Sequence, residues 1–150
     1  MKPAFSIDAH VSLRSLALTV CERRLTLFLL ILRAYLMVLS FELYVLRDDF
    51  PSLHERVRKR NVAHAEPSFG PVERMIRAVD LACVWYPKQV LCLQRSAATT
   101  CLLRRFGFPA QLVIGTQSLP FKAHAWVEVK GTIVNDKSYL REMYTALDRC

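Results

Sequence analysis

Three residue types that together perform nucleophilic chemistry occur in one chain order in the second half of the sequence: Cys92, His124 and Asp136. A thiol supplies the nucleophile and an imidazole takes its proton. A carboxylate fixes the imidazole tautomer and stabilises the imidazolium that forms. Each residue alone has an ordinary reading. A cysteine opening a helix is usually a small buried hydrophobe, a strand histidine is usually structural or exposed, and an aspartate at such a place fits an Asx turn. The conjunction carries the weight, together with the elements that must position it.

Cys92 begins the run CLQRSAATTCLLRRFG, which has the composition of a helix closed by Gly107 and followed by Pro109. Ala97, Ala98, Cys101 and Leu102 form its apolar face, and the small residues permit close approach to a sheet. In the first turn of a helix, unpaired N–H groups and the positive end of the macrodipole favour a thiolate, and they offer donors to a developing oxyanion.

Ala110 to Gly115 reads as a short buried strand. Lys122 to Val129 reads as a half-buried strand of period two that puts His124, Trp126 and Glu128 on one face. Val129-Lys130-Gly131 fits a three-residue loop with a glycine bulge, which sets Glu128 opposite Thr132, Trp126 opposite Val134 and His124 opposite Asp136. A two-residue Lys130-Gly131 turn would instead set Ala125 opposite Asp136, with the carboxylate on the wrong face. Three second oxyanion donors are open: Gln94, the Trp85-Tyr86 backbone and the Trp126 indole. Trp126 also suits packing beneath the histidine, and Arg95 and Ser96 suit helix N-terminal hydrogen bonds and surface contacts.

The elements ahead of this stretch are apolar. Leu25 to Leu46 is long enough to cross a membrane, but Arg33 lies near its middle and Glu42 near one end. Each central charge costs about 2.5 to 3.5 kcal/mol on insertion, and the two fall on opposite helix faces. A helix covered by the rest of the protein or by a partner subunit accounts for the same residues, with peripheral membrane attachment a minor option. Asp48 to Ser52 and Glu66 to Pro71 punctuate the chain. A helix resumes at Val72, with Met75, Ile76, Val79, Leu81 and Ala82 at helical spacing, and ends before Pro87.

The 150 residues suffice for a single domain. Its expected parts are a helical stretch over 1–70 and a catalytic core over 72–150. Twenty-one Lys and Arg against thirteen Asp and Glu give a formal charge of +8, densest at His54 to Arg60, which reads first as a solvated helix end or linker and second as a docking surface for an acidic peptide or partner protein. No aromatic-interleaved basic motif or zinc spacing accompanies this charge, so nucleic acid is not an expected partner. The cysteines at 21, 83, 92, 101 and 150 form no CxxC pair, which argues for free thiols in a reducing cytoplasm and against a metal site or disulfide framework. Met1 to Ser15 lacks the pattern of a secretory signal.

CLQRSAATTCLLRRFG, then LVIG, then FKAHAWVEVKGTIVND, resembles the transglutaminase-like core of the B-type leader peptidases that mature bacterial lasso peptides. The resemblance is strong over Trp85 to Asp136 and looser over the apolar helices. It implies an α+β, transglutaminase/papain-like fold, with a cysteine-bearing helix packed on a small antiparallel sheet and preceded by apolar N-terminal helices. It further implies a cofactor-free cysteine peptidase that cuts a precursor peptide between leader and core, with Cys92 as nucleophile, His124 as base and Asp136 as third member. Some relatives carry a strand-rich leader-recognition domain ahead of this core. Helix and basic linker occupy that place here, so a separate leader-recognition protein is an expected partner, and the lasso cyclase is a further candidate. Two rival readings are a transglutaminase or acyltransferase using the same residues, and a non-catalytic peptide- or membrane-binding scaffold.

Overall fold

The computed structural model describes residues 8–63 and 71–150, with side chains for Glu22 and from Arg24 onward. Residues 1–7 and 64–70, which include most of the second expected punctuation, and the side chain of Cys21 lie outside this description. The elements in order are α1 (Asp8–Leu46), α2 (Phe50–Arg58), α3 (Val72–Val84), α4 (Cys92–Arg105), β1 (Ala110–Ser118), β2 (Phe121–Val129), β3 (Thr132–Ile133), α5 (Leu140–Met143) and β4 (Thr145–Arg149).

Local chemistry sets most boundaries. Asp49 caps α2 by accepting the Ser52 N–H at 3.1 Å, with Pro51 in the first turn where its missing N–H costs nothing. Gly107, at φ 84°, turns the chain out of α4. Lys130 and Gly131, at φ 49° and 78°, make a two-residue turn between β2 and β3.

The helix α4 is the centre of the molecule. Ala97, Ala98, Leu102 and Leu103 are fully buried, between Ala34, Val38 and Val79 of α1 and α3 on one side and Leu112, Ala125 and Val127 of the sheet on the other. Small side chains let the backbone of α4 close on the sheet, as the sequence implied. The sheet is antiparallel in the order β3-β2-β1-β4. Its far face carries a smaller cluster of Val113, Trp126 and Leu140, with Ile133 and Tyr144 packed against it.

Two polar anchors tie the helices together. The buried Arg104 guanidinium donates to the carbonyls of Val57 at 2.7 Å and Arg60 at 3.1 Å, at the end of α2, and to Ala110 O at 2.7 Å. Glu42, buried on α1, pairs with Lys88 and accepts from Gln94 Nε2 at 2.8 Å. Arg33, on the opposite face, is exposed. The segment Arg24–Leu46 is long and apolar enough to cross a membrane by length and composition. One face of it is core, through Leu30, Ala34, Val38 and Phe41.

Candidate active site

Cys92 is the first residue of α4, half-buried, and preceded by Leu91 in extended conformation with no side chain capping the helix. The first intrahelical bond reaches back from the Arg95 N–H to Leu91 O at 2.9 Å. The N–H groups of Cys92, Leu93 and Gln94 therefore have no helical acceptor, and they form a patch of donors around the thiol. Among the described residues, Cys92 makes no hydrogen bond. At the other described thiols burial disfavours the thiolate. Burial pushes Cys101 up to about 11 and raises Cys83 and Cys150 as well.

His124 and Asp136 stand side by side, each about three-quarters buried, with His124 Nε2 at 2.9 Å from Asp136 Oδ2. Burial pushes the Asp136 carboxyl up. The His124 hydrogen bond, the Lys137 N–H at 2.8 Å and the nearby positive charges outweigh it and hold the group below its ordinary value. It is therefore an acceptor at neutral pH.

The pairing arises by a different route from the one expected. Glu128 pairs with Ile133 and Val129 with Thr132. This is the two-residue-turn register, which by strand alternation alone would send Asp136 to the wrong face. The expected opposition of His124 and Asp136 within a ladder is thus incorrect. The ladder stops first, because β3 has only two residues. Beyond it Val134 N–H still bonds Val127 O at 3.0 Å, but the Val127 N–H is taken at 2.7 Å by the Asn135 side-chain oxygen. The chain leaves the sheet at Asn135, and Asp136 is free to turn to the imidazole.

The edge of β2 that β3 vacates is filled by α4. Ser96 Oγ donates to Ala125 O at 2.9 Å and accepts from Asn135 Nδ2 at 3.0 Å, and Arg95 donates to Asn135 O at 3.1 Å and to Asp80 at 2.7 Å. Ser96, fully buried, is therefore an interior link between α4 and the segment bearing His124 and Asp136, and the surface role expected for it is incorrect, whereas Arg95, a third exposed, joins that segment to Asp80 at the surface. Cys92 and Ser96 are four residues apart on one face of α4. The thiol thus lies one helical turn from a hydroxyl bonded to the residue after His124.

The three expected second oxyanion donors are all spent. Gln94 is buried, and its amide donates to Val38 O at 3.0 Å as well as to Glu42. The Trp85 and Tyr86 N–H groups close the end of α3 on Leu81 O and Cys83 O. The Trp126 indole donates to Glu128 Oε1 at 3.0 Å. Trp126 is instead the floor under the histidine, with ring centroids 6.5 Å apart and near-parallel planes. Trp85 is 77% exposed. Sequence reasoning passed over Tyr144, whose ring lies 5.6 Å from His124 and 6.3 Å from Trp126. It also passed over Asn135, which the asparagine immediately before the aspartate could have signalled.

Residues 34–149 match the family model described as the transglutaminase-like superfamily. The matched span begins inside α1, so it includes the last third of that helix, which carries Val38, Phe41 and Glu42. The microcin J25-processing protein McjB of Escherichia coli is 38% identical over 56 residues, 37% of this chain and 27% of that protein. The chain thus aligns with little more than a quarter of that relative's length. No solved structure matches.

Proposed function

The chain belongs to the transglutaminase-like superfamily, and on that premise we propose that it is a cysteine peptidase that removes the leader from a ribosomally made lasso-peptide precursor. The observation that carries this reading is the His124–Asp136 pair at 2.9 Å, bound through Asn135 and Ser96 to the helix that Cys92 begins. The likeness to a protein named for processing a microcin supports the substrate class.

With Asp136 on Nε2, His124 presents Nδ1 to accept the Cys92 thiol proton. The thiolate adds to the carbonyl carbon of the last leader residue, and the resulting oxyanion faces the free N–H groups of the first turn of α4. Collapse breaks the peptide C–N bond. The imidazolium gives its proton to the departing core amine, leaving the leader as a thioester on Cys92. Water, deprotonated by His124, hydrolyses the thioester and restores the thiol. A separate leader-recognition protein delivers the precursor in this reading.

The test is incubation of precursor, recognition protein and this chain, read by mass spectrometry. Free leader acid and free core are the expected products, and Cys92→Ala abolishes both. Cleavage that survives Cys92→Ala refutes the peptidase and favours a scaffold. With a labelled primary amine present, an amine-capped leader in place of the acid identifies an acyltransferase instead.

A further inference from the structure

Between Leu25 and Leu46, α1 exposes nine residues: Leu25, Leu29, Leu32, Leu36, Leu39, Leu43 and Leu46, with Phe28 and Arg33 beside them. The seven leucines are 43 to 65% exposed. Their spacings alternate four and three without interruption, so they occupy seven consecutive a and d positions, three heptads and the start of a fourth, and each position is leucine. The opposite face, Leu30, Ala34, Val38 and Phe41, is packed in the core, and Glu42 is tied to Lys88 and Gln94. The exposed stripe is therefore a second apolar surface on a helix already held in place.

The form of the stripe identifies what covers it. A surface facing lipid or a core requires a broad apolar arc at the 3.6-residue period, whereas a seam centred on a and d positions, here flanked by Phe28 at one g position and by Thr26, Arg33 and Ser40 at e positions, is the mark of a helix partner. Seven half-exposed leucines and Phe28 leave on the order of 700 Å² of apolar surface, close to the roughly 800 Å² per partner of a standard interface and above the largest patch a monomer usually leaves. The matching helix must carry the same repeat. Among the described residues only α1 does, since α2 and α3 are short and their apolar sides are already buried. We propose that the leucine seam of α1 pairs with the same seam of a second copy of this chain, as a coiled coil across a two-fold axis. Arg33, at an e position, lies on the rim of that interface, and the core-facing side of α1 is undisturbed.

The test is the mass of the purified full chain at about 20 μM in detergent-free buffer, by size exclusion with light scattering. The expected mass is twice the 17.3 kDa chain. Leu32→Glu combined with Leu39→Glu, at two exposed positions, halves that mass while the circular dichroism spectrum is unchanged. Leu36→Asn is the second variant should the doubly charged helix misfold, and it weakens self-association at least tenfold in a dilution series. A monomeric wild type overturns the proposal, as does self-association that persists in a folded variant. Binding to phosphatidylcholine/phosphatidylglycerol vesicles by a wild type that is monomeric without them also overturns it and assigns the seam to lipid. The readout is mass, so the outcome is independent of whether the chain cleaves a precursor.

Discussion

Asp136 meets His124 at Nε2, the ring nitrogen farther from the backbone, at 2.9 Å. A carboxylate is an acceptor only, so Nε2 carries the proton and Nδ1 keeps its lone pair. One hydrogen bond thereby decides which ring atom can serve as a base.

Asp136→Asn tests that decision. The amide can donate to Nε2 and stabilise the opposite tautomer, which removes the base without removing the ring. The expected loss in kcat is about 10³- to 10⁴-fold with the melting temperature nearly unchanged. Single-turnover cleavage of the precursor measures it. Activity within tenfold of wild type would show that Asp136 does not orient the base.

The thiols should differ in reactivity. At pH 7.5 about one Cys101 in three thousand is ionised, given its value of about 11. Cys92, at an uncapped helix start, is expected to react with iodoacetamide at least tenfold faster than Cys101, read by peptide mass spectrometry. Equal rates at the two positions would contradict the assignment of the nucleophile.

Gly115 is required by Trp126. A Cβ there would lie 2.7 Å from Trp126 Cη2, 2.8 Å from Cζ3 and 3.0 Å from Thr145 O, and the last is backbone that cannot step aside. Gly115 also pairs directly with His124 across β1 and β2. Gly115→Ala is expected to cost about 1 to 3 kcal/mol and to shift the tryptophan emission, with kcat falling as the floor under His124 moves. Denaturant unfolding followed by fluorescence gives both quantities.

Asn135→Ala removes the side chain that replaces the missing ladder. It leaves the buried Val127 N–H unpaired, at a cost of about 1 to 3 kcal/mol, and frees the segment that holds Asp136. Activity is expected to fall further than in Ser96→Ala, which leaves the Val127 bond intact. Comparing the two variants by calorimetry and cleavage rate checks the order.

The acid limit of stability follows from three carboxylates. In Asp136 and Glu128 burial pushes the pKa up, but hydrogen bonds from His124, and from Trp126, Arg149 and Arg141, prevail. In Glu42 the Lys88 hydrogen bond is the largest influence and overcomes burial. All three lie below their ordinary values of 3.8 and 4.5 when folded. The unfolded chain therefore binds protons first as pH falls, and stability is complete above that range and lost below it. Melting temperature should be level from pH 7 to 5 and decline towards pH 3. Glu128→Gln should melt lower at pH 7 and decline less steeply.

Much of the frame was legible because it is written in periodicity and punctuation. Gly107 and Pro109 mark the end of α4, Pro87 limits α3, and alternation shows β2. The sheet's fourth strand was not legible, since Thr145 to Arg149 is exposed throughout and shows no alternation of burial. The hairpin register was misread because the two-residue turn puts Lys130, a residue with a Cβ, at positive φ. The leucine seam was hidden by the apolar residues on the other side of α1, which blur the contrast that a period search depends on. At the site, the residue types were readable, while their linkage through Ser96 and Asn135 exists only in three dimensions.

The two-residue length of β3 separates the turn from the chemistry. In a hairpin whose functional residue hangs on the ladder, a one-residue insertion at the tip inverts every position beyond it. Here an insertion next to Lys130 would scramble Thr132, Ile133 and the Arg141 hydrogen bond to Gly131 O. Asp136 would stay in place, because Asn135 is moored to Val127 and Ser96 by its side chain. The tip of this hairpin can thus vary in length and sequence, and take on contacts of its own, without retuning the histidine.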